Sequence, residues 1–312
     1  MRNLFEYRSS QLSSSFHLIN ADKELDRVSK IQYFVLNFLA NSRTRKHHPN
    51  LLIKKFSPSA ESISKNLSLL VEPQSPSRIL SNIFWENIKW DYVNTVLRGE
   101  IRAIEIGCGS GRYGRKISKL TNIENYTGVD ITYSSEWDLV NTQDFKFTIG
   151  SYEDFDTLVN NQNLIITQSA LEHFEYDLKF FRLIGNYAKN VPFPVLSIHL
   201  LPSPVGLLKF LLHGIRQYNR KSLSRLVSVS QPTGDGQLYV LGGFRSNLFH
   251  LREITLRSLI FRKWVTEVNV EEYIARIFKP LARDSRSKSM GSPSFYALVL
   301  YWDKDTWTEE IV

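Results

Sequence analysis

The chain has 312 residues, of which 42% are hydrophobic and 22% charged, and it carries a net charge of +8. These are ordinary values for a folded α/β-sized chain, long enough for one large domain or one domain with appendages, so low-complexity and fibrous classes are excluded. A single cysteine, Cys108, excludes an internal disulfide framework and a cysteine-based zinc site, and no metal centre is expected. Met1 to Asn20 is polar and serine-rich without an apolar centre, which reads against a secretory leader and for the cytoplasm. The most apolar stretch, Val191 to Ile215, is broken by four prolines, His199, Lys209 and His213, so no membrane span is expected.

Charge is unevenly placed. Between Val205 and Met290 lie 15 Lys+Arg against 6 Asp+Glu, whereas the rest of the chain is nearly balanced. Such a segment suits phosphates of a small acceptor, nucleic acid or anionic lipid headgroups, or is simply a solvated basic surface.

In chain order, residues 1–78 read as an N-terminal extension: a lid, an arm or a partly disordered stretch. It contains a helical apolar patch at Ile31 to Ala40, a basic run at Arg43 to His48 and a linker at Glu72 to Ser77. Leu80, Ile83, Phe84, Ile88, Val93 and Leu97 fall near helical spacing, closed by Gly99. From Ile101 short β-rich runs alternate with helical ones, the pattern of a parallel sheet with crossover helices. Strands are predicted near 101–106, 125–130, 144–149, 163–167 and 194–200, a sixth at Leu226 to Ser230 and a last one at Phe295 to Trp302. Helices are predicted near 111–120, 152–160, 172–188 and 205–215. Residues 79–312 then form one domain, with a helical insertion at about 233–293 that holds helices near 251–262 and 270–279.

The strongest chemical signal follows the first of these strands, at Glu105-Ile-Gly107-Cys-Gly109-Ser-Gly111. Glycines turn the chain sharply off a strand and leave no Cβ where a ligand approaches the backbone. The helix that opens there offers free N–H groups. The dinucleotide spacing G-x-G-x-x-G fails, because Arg112 stands three after Gly109. The next strand ends in Asp130, 19 residues after Gly111, where a carboxylate can accept both hydroxyls of a ribose. The third strand exits into Gly150-Ser151-Tyr152-Glu153-Asp154, and the fourth into Gln168-Ser-Ala-Leu-Glu172-His173.

Together these four signals resemble class I S-adenosylmethionine-dependent methyltransferases of the small-molecule type, firmly over about 100–200 and loosely over 285–303. The resemblance implies a Rossmann-like, seven-stranded, mostly parallel sheet with helices on both faces, flanked by the N-terminal helical extension and the insertion before the last strand. It implies S-adenosylmethionine as cofactor, held by Glu105, Gly107, Gly109 and Gly111 around its amino-acid part and by Asp130 at its ribose. Ser151 stands where the family often has aspartate; Ser151, Tyr152 or Glu153 would meet the adenine, with Gln168 at the pocket floor. Ser151 is equally suited to capping the following helix with Asp154. The Leu171-Glu172-His173 run resembles the family's small-molecule form and differs from the Asp/Asn/Ser-Pro-Pro-Tyr motif of enzymes that methylate an amino group on a base or amide, which reads against an exocyclic N-methyltransferase.

Transfer to oxygen needs a general base. The candidates are His199, at the end of a strand, and His250, at the head of the insertion; His173 would organise the pocket, and acids such as Asp235 remain in play. His17, His47 and His48 read as solvated. Arg216 and Arg220 are candidate ligands for an anionic acceptor such as a sugar or glycan intermediate. The apolar run Leu207 to Leu212 beside them also suits peripheral membrane contact. An RNA methyltransferase using the basic segment and a non-catalytic S-adenosylmethionine-binding protein are the alternatives. Trp85 and Trp90, five apart, would not share one helix face, leaving one to pack on the sheet and the other to cover the cofactor cleft.

Overall fold

The computed structural model describes residues 12–17, 19–20, 25–42, 49–140, 142–210, 214, 216–261, 268–303 and 310–312. The basic run at Arg43 to His48, with His47 and His48, and His213 lie outside the described residues.

Helix α1 (Arg27–Ser42) leads into strand β1 (Leu51–Lys55), then α2 (Ala60–Ser68), α3 (Pro76–Asn87) and α4 (Trp90–Val96). The chain continues as β2 (Ile101–Ile106), α5 (Arg112–Ile117), β3 (Ile123–Asp130), β4 (Phe145–Ile149), α6 (Phe155–Leu158), β5 (Leu164–Gln168), α7 (Asp177–Asn190) and β6 (Val195–Pro202). It closes with α8 (Gly206–Phe210), α9 (Arg220–Ser230), β7 (Gly236–Leu241), α10 (Phe244–His250), α11 (Arg257–Phe261), α12 (Val270–Arg286) and β8 (Phe295–Trp302).

The strands form one sheet in the order β1-β7-β8-β6-β5-β2-β3-β4. Only β8 runs antiparallel to its neighbours β6 and β7. Because sequential strands β2, β3 and β4 extend one way and β5 and β6 the other, the order reverses beside β2. That reversal is where open α/β sheets leave a crevice at their carboxyl edge.

Both faces are covered. Ile79, Ile83, Trp85, Val93, Ile198, Ile277 and Leu281 belong to one apolar layer, beneath α2–α4, α10 and α12. Ile104, Ile165, Phe181, Leu223, Val227 and Leu298 belong to the other, beneath α6, α7 and α9. Strands covered twice lose the in/out alternation of polarity, and β6 and β8 are buried at every residue.

Three expectations change. The sheet has eight strands rather than seven, because Leu51–Lys55, assigned by sequence to the extension, pairs in parallel with β7. Leu226 to Ser230 is helical: Leu223, Leu226, Val227 and Ser230 make one buried helical stripe, and Asn219 caps the helix through Ser222 N. The strand comes later, at Gly236–Leu241, inside the span read as an insertion. The long helix expected across 80–97 breaks at Ile88, which is extended, and the break turns Trp90 back to stack on Trp85 at 6.4 Å. Both indoles are buried, so neither covers a cleft from outside.

Candidate active site

The carboxyl edge of the sheet opens into a pocket of about 780 Å³ beside β2. Its shape follows from where the strand exits go. Gly107 N and Cys108 N donate to Val129 O, at 2.7 and 3.0 Å, which draws the end of β2 toward β3. Ser169 N donates to Leu200 O at 3.0 Å, which draws the end of β5 toward β6. The two exits therefore diverge, and the space between them is the pocket.

Gly107, Gly109 and Gly111 all have positive φ, at 77°, 53° and 75°. A Cβ on Gly107 would stand 2.3 Å from Ala170 Cβ and one on Gly111 2.3 Å from the Phe147 ring, so these two are required by close packing. A Cβ on Gly109 would meet nothing within 4 Å. Gly109 borders the pocket and keeps its wall bare backbone. Asp130 fixes this turn by accepting from Gly109 N at 2.8 Å and from Thr132 N at 3.1 Å. Each carboxylate oxygen keeps a further lone pair for a ligand hydroxyl. Trp137, a residue the sequence reading missed, donates from Nε1 to Gly109 O at 2.8 Å and clamps the turn from outside.

Glu105 is almost fully buried in the pocket wall. Its Oε2 accepts from the Tyr126 hydroxyl at 2.5 Å, whereas Oε1 has no hydrogen-bond partner. Burial pushes its carboxyl up to about 7, against the pull of hydrogen bonds from Tyr126 and from the Gly114 backbone. Ser81, from α3, is a second buried pocket residue whose hydroxyl has no partner. An orphaned carboxylate oxygen and an orphaned hydroxyl in one cavity suit a ligand that offers both an ammonium and a carboxylate.

Further along the edge, Gln168 lines the pocket and accepts from Trp85 Nε1 at 3.0 Å, so the buried indole orients it. Ser169 follows with φ 53°, a non-glycine residue held in the left-handed region at the pocket wall. Tyr152 stacks on Phe174 at 4.4 Å and accepts from Tyr176 N. Ser151 lines the pocket and also caps the next turn, with Asp154 Oδ2 accepting from Ser151 N at 2.8 Å and Ser151 Oγ accepting from Glu153 N at 3.1 Å. Of the residues expected around the cofactor, Glu105, Gly107, Gly109, Asp130, Ser151, Tyr152 and Gln168 thus share one cavity. Gly111 stands just behind it as the N-cap of α5, and Glu153 turns outward to pair with Lys179 at 2.8 Å.

The expected bases and acceptor ligands lie elsewhere. His199 is wholly buried within β6, tilted against Phe181 at 4.7 Å, with Nδ1 at 2.9 Å from Thr167 Oγ1. It alternates with Ile198 and Leu200, so its side chain enters the layer beneath α7 rather than the edge, and burial pulls its pKa down to about 3. His250 is buried at the end of α10, outside the pocket wall, and burial and the Lys209 charge pull it to about 3. Asp235 is exposed at the start of β7, the opposite edge of the sheet. His17 is not solvated: burial, then the charge of Arg216, lowers it to about 4. His173, on the short turn Leu171–His173, does line the pocket, beside Glu172.

Arg216 is 3% exposed and pairs with the fully buried Asp177 at 2.6 Å. Asp177 also accepts from Ser14 N at 2.7 Å, so this pair ties the N-terminal segment to α7. Arg220 opens α9, away from the pocket. The pocket's cations are instead Arg78, at the start of α3, and Arg112, at the start of α5. The basic surplus is also partly internal: Lys209 and Arg216 are buried, and Arg252 and Arg276 pair with Glu253. The sequence reading singled out neither cation, since Arg112 entered it only as the residue that breaks the dinucleotide spacing; Ser75, Ser77, Arg78 and Ser81 arrive at the cavity by folding.

No protein-family model matches the chain, and no curated protein matches it in sequence. Its fold is similar to that of solved structures, methyltransferases among them. One is an S-adenosylmethionine-dependent methyltransferase from Archaeoglobus fulgidus, 17% identical over 68% of this chain and 91% of that one, with a TM-score of 0.40. A second is the plantazolicin methyltransferase BpumL in complex with a triazolic desmethylPZN analogue and SAH, 14% identical over 89% of this chain and 100% of that one, with a TM-score of 0.41. A third is the YcgJ protein of Bacillus subtilis, 18% identical over 68% and 95%, TM-score 0.39.

Proposed function

We propose that the chain transfers a methyl group from S-adenosylmethionine to a hydroxyl of a small, anionic acceptor such as a sugar or glycan intermediate. The observation that carries this reading is the pairing, in one cavity, of the bare Gly109 backbone tied to Asp130 with the orphaned Glu105 Oε1. Glu105 Oε1 would accept from the cofactor's ammonium, the Ser81 hydroxyl would donate to its carboxylate, and Asp130 would accept from the ribose hydroxyls. Ile131, three-quarters exposed at the pocket rim, would cover the adenine from one side.

When bound, the cofactor supplies an electrophilic methyl group, and the protein's part is alignment of the acceptor oxygen with it. His173 takes the place expected of His199 and His250: among the described residues it is the histidine that lines the pocket, and from there it would remove the acceptor's proton. Arg78 and Arg112 take the place expected of Arg216 and Arg220, offering the acceptor's phosphate or carboxylate two guanidinium forks. The RNA alternative loses ground because buried and paired cations account for part of the basic segment.

The test is calorimetric titration of the chain with S-adenosylmethionine and S-adenosylhomocysteine, with NAD as control and Asp130→Asn alongside. Binding of both sulfur compounds, weakened by Asp130→Asn and absent for NAD, supports the reading. Absence of binding to either would sink it.

A further inference from the structure

Helix α1 is amphipathic in an unusual sense: its apolar residues face outward. Tyr33 and Asn37 are its buried side chains. Val28, Ile31, Val35, Phe38 and Leu39 are 62%, 66%, 46%, 57% and 41% exposed. Positions 28, 31, 35, 38 and 39 recur at helical spacing, so they form one stripe along the outer side. Phe16 is 63% exposed in the segment whose His17 meets Asn37 of α1, and Leu208 is 52% exposed on α8, which packs against α1. A helix stripe of five large apolar side chains left in water marks an interaction surface.

The charges around the stripe indicate its partner. Arg27 and Lys30 are exposed on α1, and no acidic residue occurs anywhere from Arg27 to His48. In sequence, Arg43, Arg45 and Lys46 follow directly. A second copy of the chain would bring the same cations together, with Asp26 at the start of α1 as the one acid among the described residues 25–42. A bilayer rich in anionic lipids supplies both an apolar interior and the counter-charge, the combination that holds amphipathic helices in the plane of a membrane.

We propose that α1 docks the protein in plane on an anionic lipid surface, with Val28, Ile31, Val35, Phe38 and Leu39 entering the acyl boundary and Arg27 and Lys30 meeting headgroups. Of the Leu207–Leu212 run, Leu207 is buried and Leu208 is half-exposed beside α1, while Leu211 and Leu212 lie outside the described residues. The inner side of α1 leads straight to the pocket. Tyr33 donates to Gly214 O at 2.8 Å and accepts from Gln217 Nε2 at 3.3 Å, and Gln217 lines the pocket. Gly214 rests on Glu172 and His173, two further pocket residues. Docking therefore sets the bilayer about one helix diameter, ~10 Å, from the pocket wall. The proposal stands whether or not the pocket binds S-adenosylmethionine.

The experiment is flotation of the full chain with phosphatidylcholine vesicles, with and without about one-third phosphatidylglycerol. Two variants run beside it, Ile31→Ser/Val35→Ser/Phe38→Ser and Arg27→Glu/Lys30→Glu. All five positions are solvent-exposed, and thermal melting together with S-adenosylhomocysteine binding reports whether fold and pocket survive the changes. Flotation with the anionic vesicles, weakened by raised salt and reduced at least about tenfold by either variant, is the expected result. No flotation with anionic vesicles, or flotation equal in wild type and both variants, would overturn the proposal. So would a dimer in sedimentation that the triple variant dissolves without any vesicle binding, since the stripe would then be covered by a second copy.

Discussion

Two stretches of the same sheet edge differ sharply. At the tips of β2 and β3, a glycine turn leaves backbone bare and Glu105 Oε1 unpartnered, and a cavity results. At the tips of β7 and β8, glycines also turn the chain, but side chains fill the space. A Cβ on Gly242 would stand 2.6 Å from Ser294 Oγ, and one on Gly243 2.9 Å from the Asp284 carboxyl carbon. Asp284 reaches across from α12 to accept from Ser246 N and Ser246 Oγ, at 2.7 and 2.8 Å, and Lys209 donates to Ser77 Oγ and Ser294 O. One region spends its polar groups on each other and gains stability; the other withholds them and gains a binding site. Strand direction alone does not make a pocket.

The contrast is open to direct attack. Asp284→Ala takes this acceptor from the buried Ser246 N and Oγ and from the part-buried Arg245 N, at a cost of about 3 kcal/mol. Urea denaturation should show that loss, while S-adenosylhomocysteine affinity of the folded fraction changes less than about threefold. A parallel fall in affinity would mean the two regions are coupled rather than separate.

Glu105→Gln should do the reverse. Affinity for S-adenosylhomocysteine is expected to fall by roughly 10- to 100-fold, the worth of a charge-assisted hydrogen bond, with stability little changed. The wild-type pH profile carries the same signature. Because the free protein's Glu105 titrates at about 7, its carboxylate is scarce at lower pH, so affinity should rise as pH goes from about 6 to 8 and then level. Stability runs the other way: a raised folded-state pKa favours the protonated folded protein, so this contribution is complete below the ordinary carboxyl value and is lost as pH rises through about 7. Calorimetry across pH should find the affinity slope in wild type and its absence in Glu105→Gln.

Gly109→Ala separates conformation from space. With nothing near its Cβ, the variant bears only the left-handed strain of about 1–2 kcal/mol, yet puts a methyl group where ligand meets backbone. Affinity should drop more than the stability loss explains; equal losses would show that the wall at Gly109 does not touch ligand. Smallest of all, Glu153→Gln removes a solvent-exposed pair with Lys179 outside the cavity. Stability should move by less than about 0.5 kcal/mol and affinity not measurably, whereas a clear loss of binding would return Glu153 to the adenine site.

The alternating pattern from Ile101 onward was legible because each strand and helix there carries its own signal: apolar runs, a glycine turn, an acid at the tip of β3. Strand β2 and strand β8 fall at the residues predicted, and Glu105, Gly109, Asp130 and Gln168 meet in one cavity as their order in the chain suggested. β1 was hidden because Leu-Leu-Ile-Lys-Lys is too short and too charged to declare itself before β7 exists to pair with it. Leu226 to Ser230 misled because a short apolar run has no period that separates strand from helix.

Local sequence, then, determined the turns and the residues at each strand tip, since backbone conformation depends on neighbours in the chain. Only the tertiary structure decided which side chains face the cavity. It sent His199 into the layer beneath α7, spent Arg216 on Asp177, and brought Ser81 and Arg78 from α3 to the pocket. It also turned the apolar side of α1 outward. Facing is fixed by the strand's alternation and the packing of helices far apart in the chain, and no local pattern encodes it.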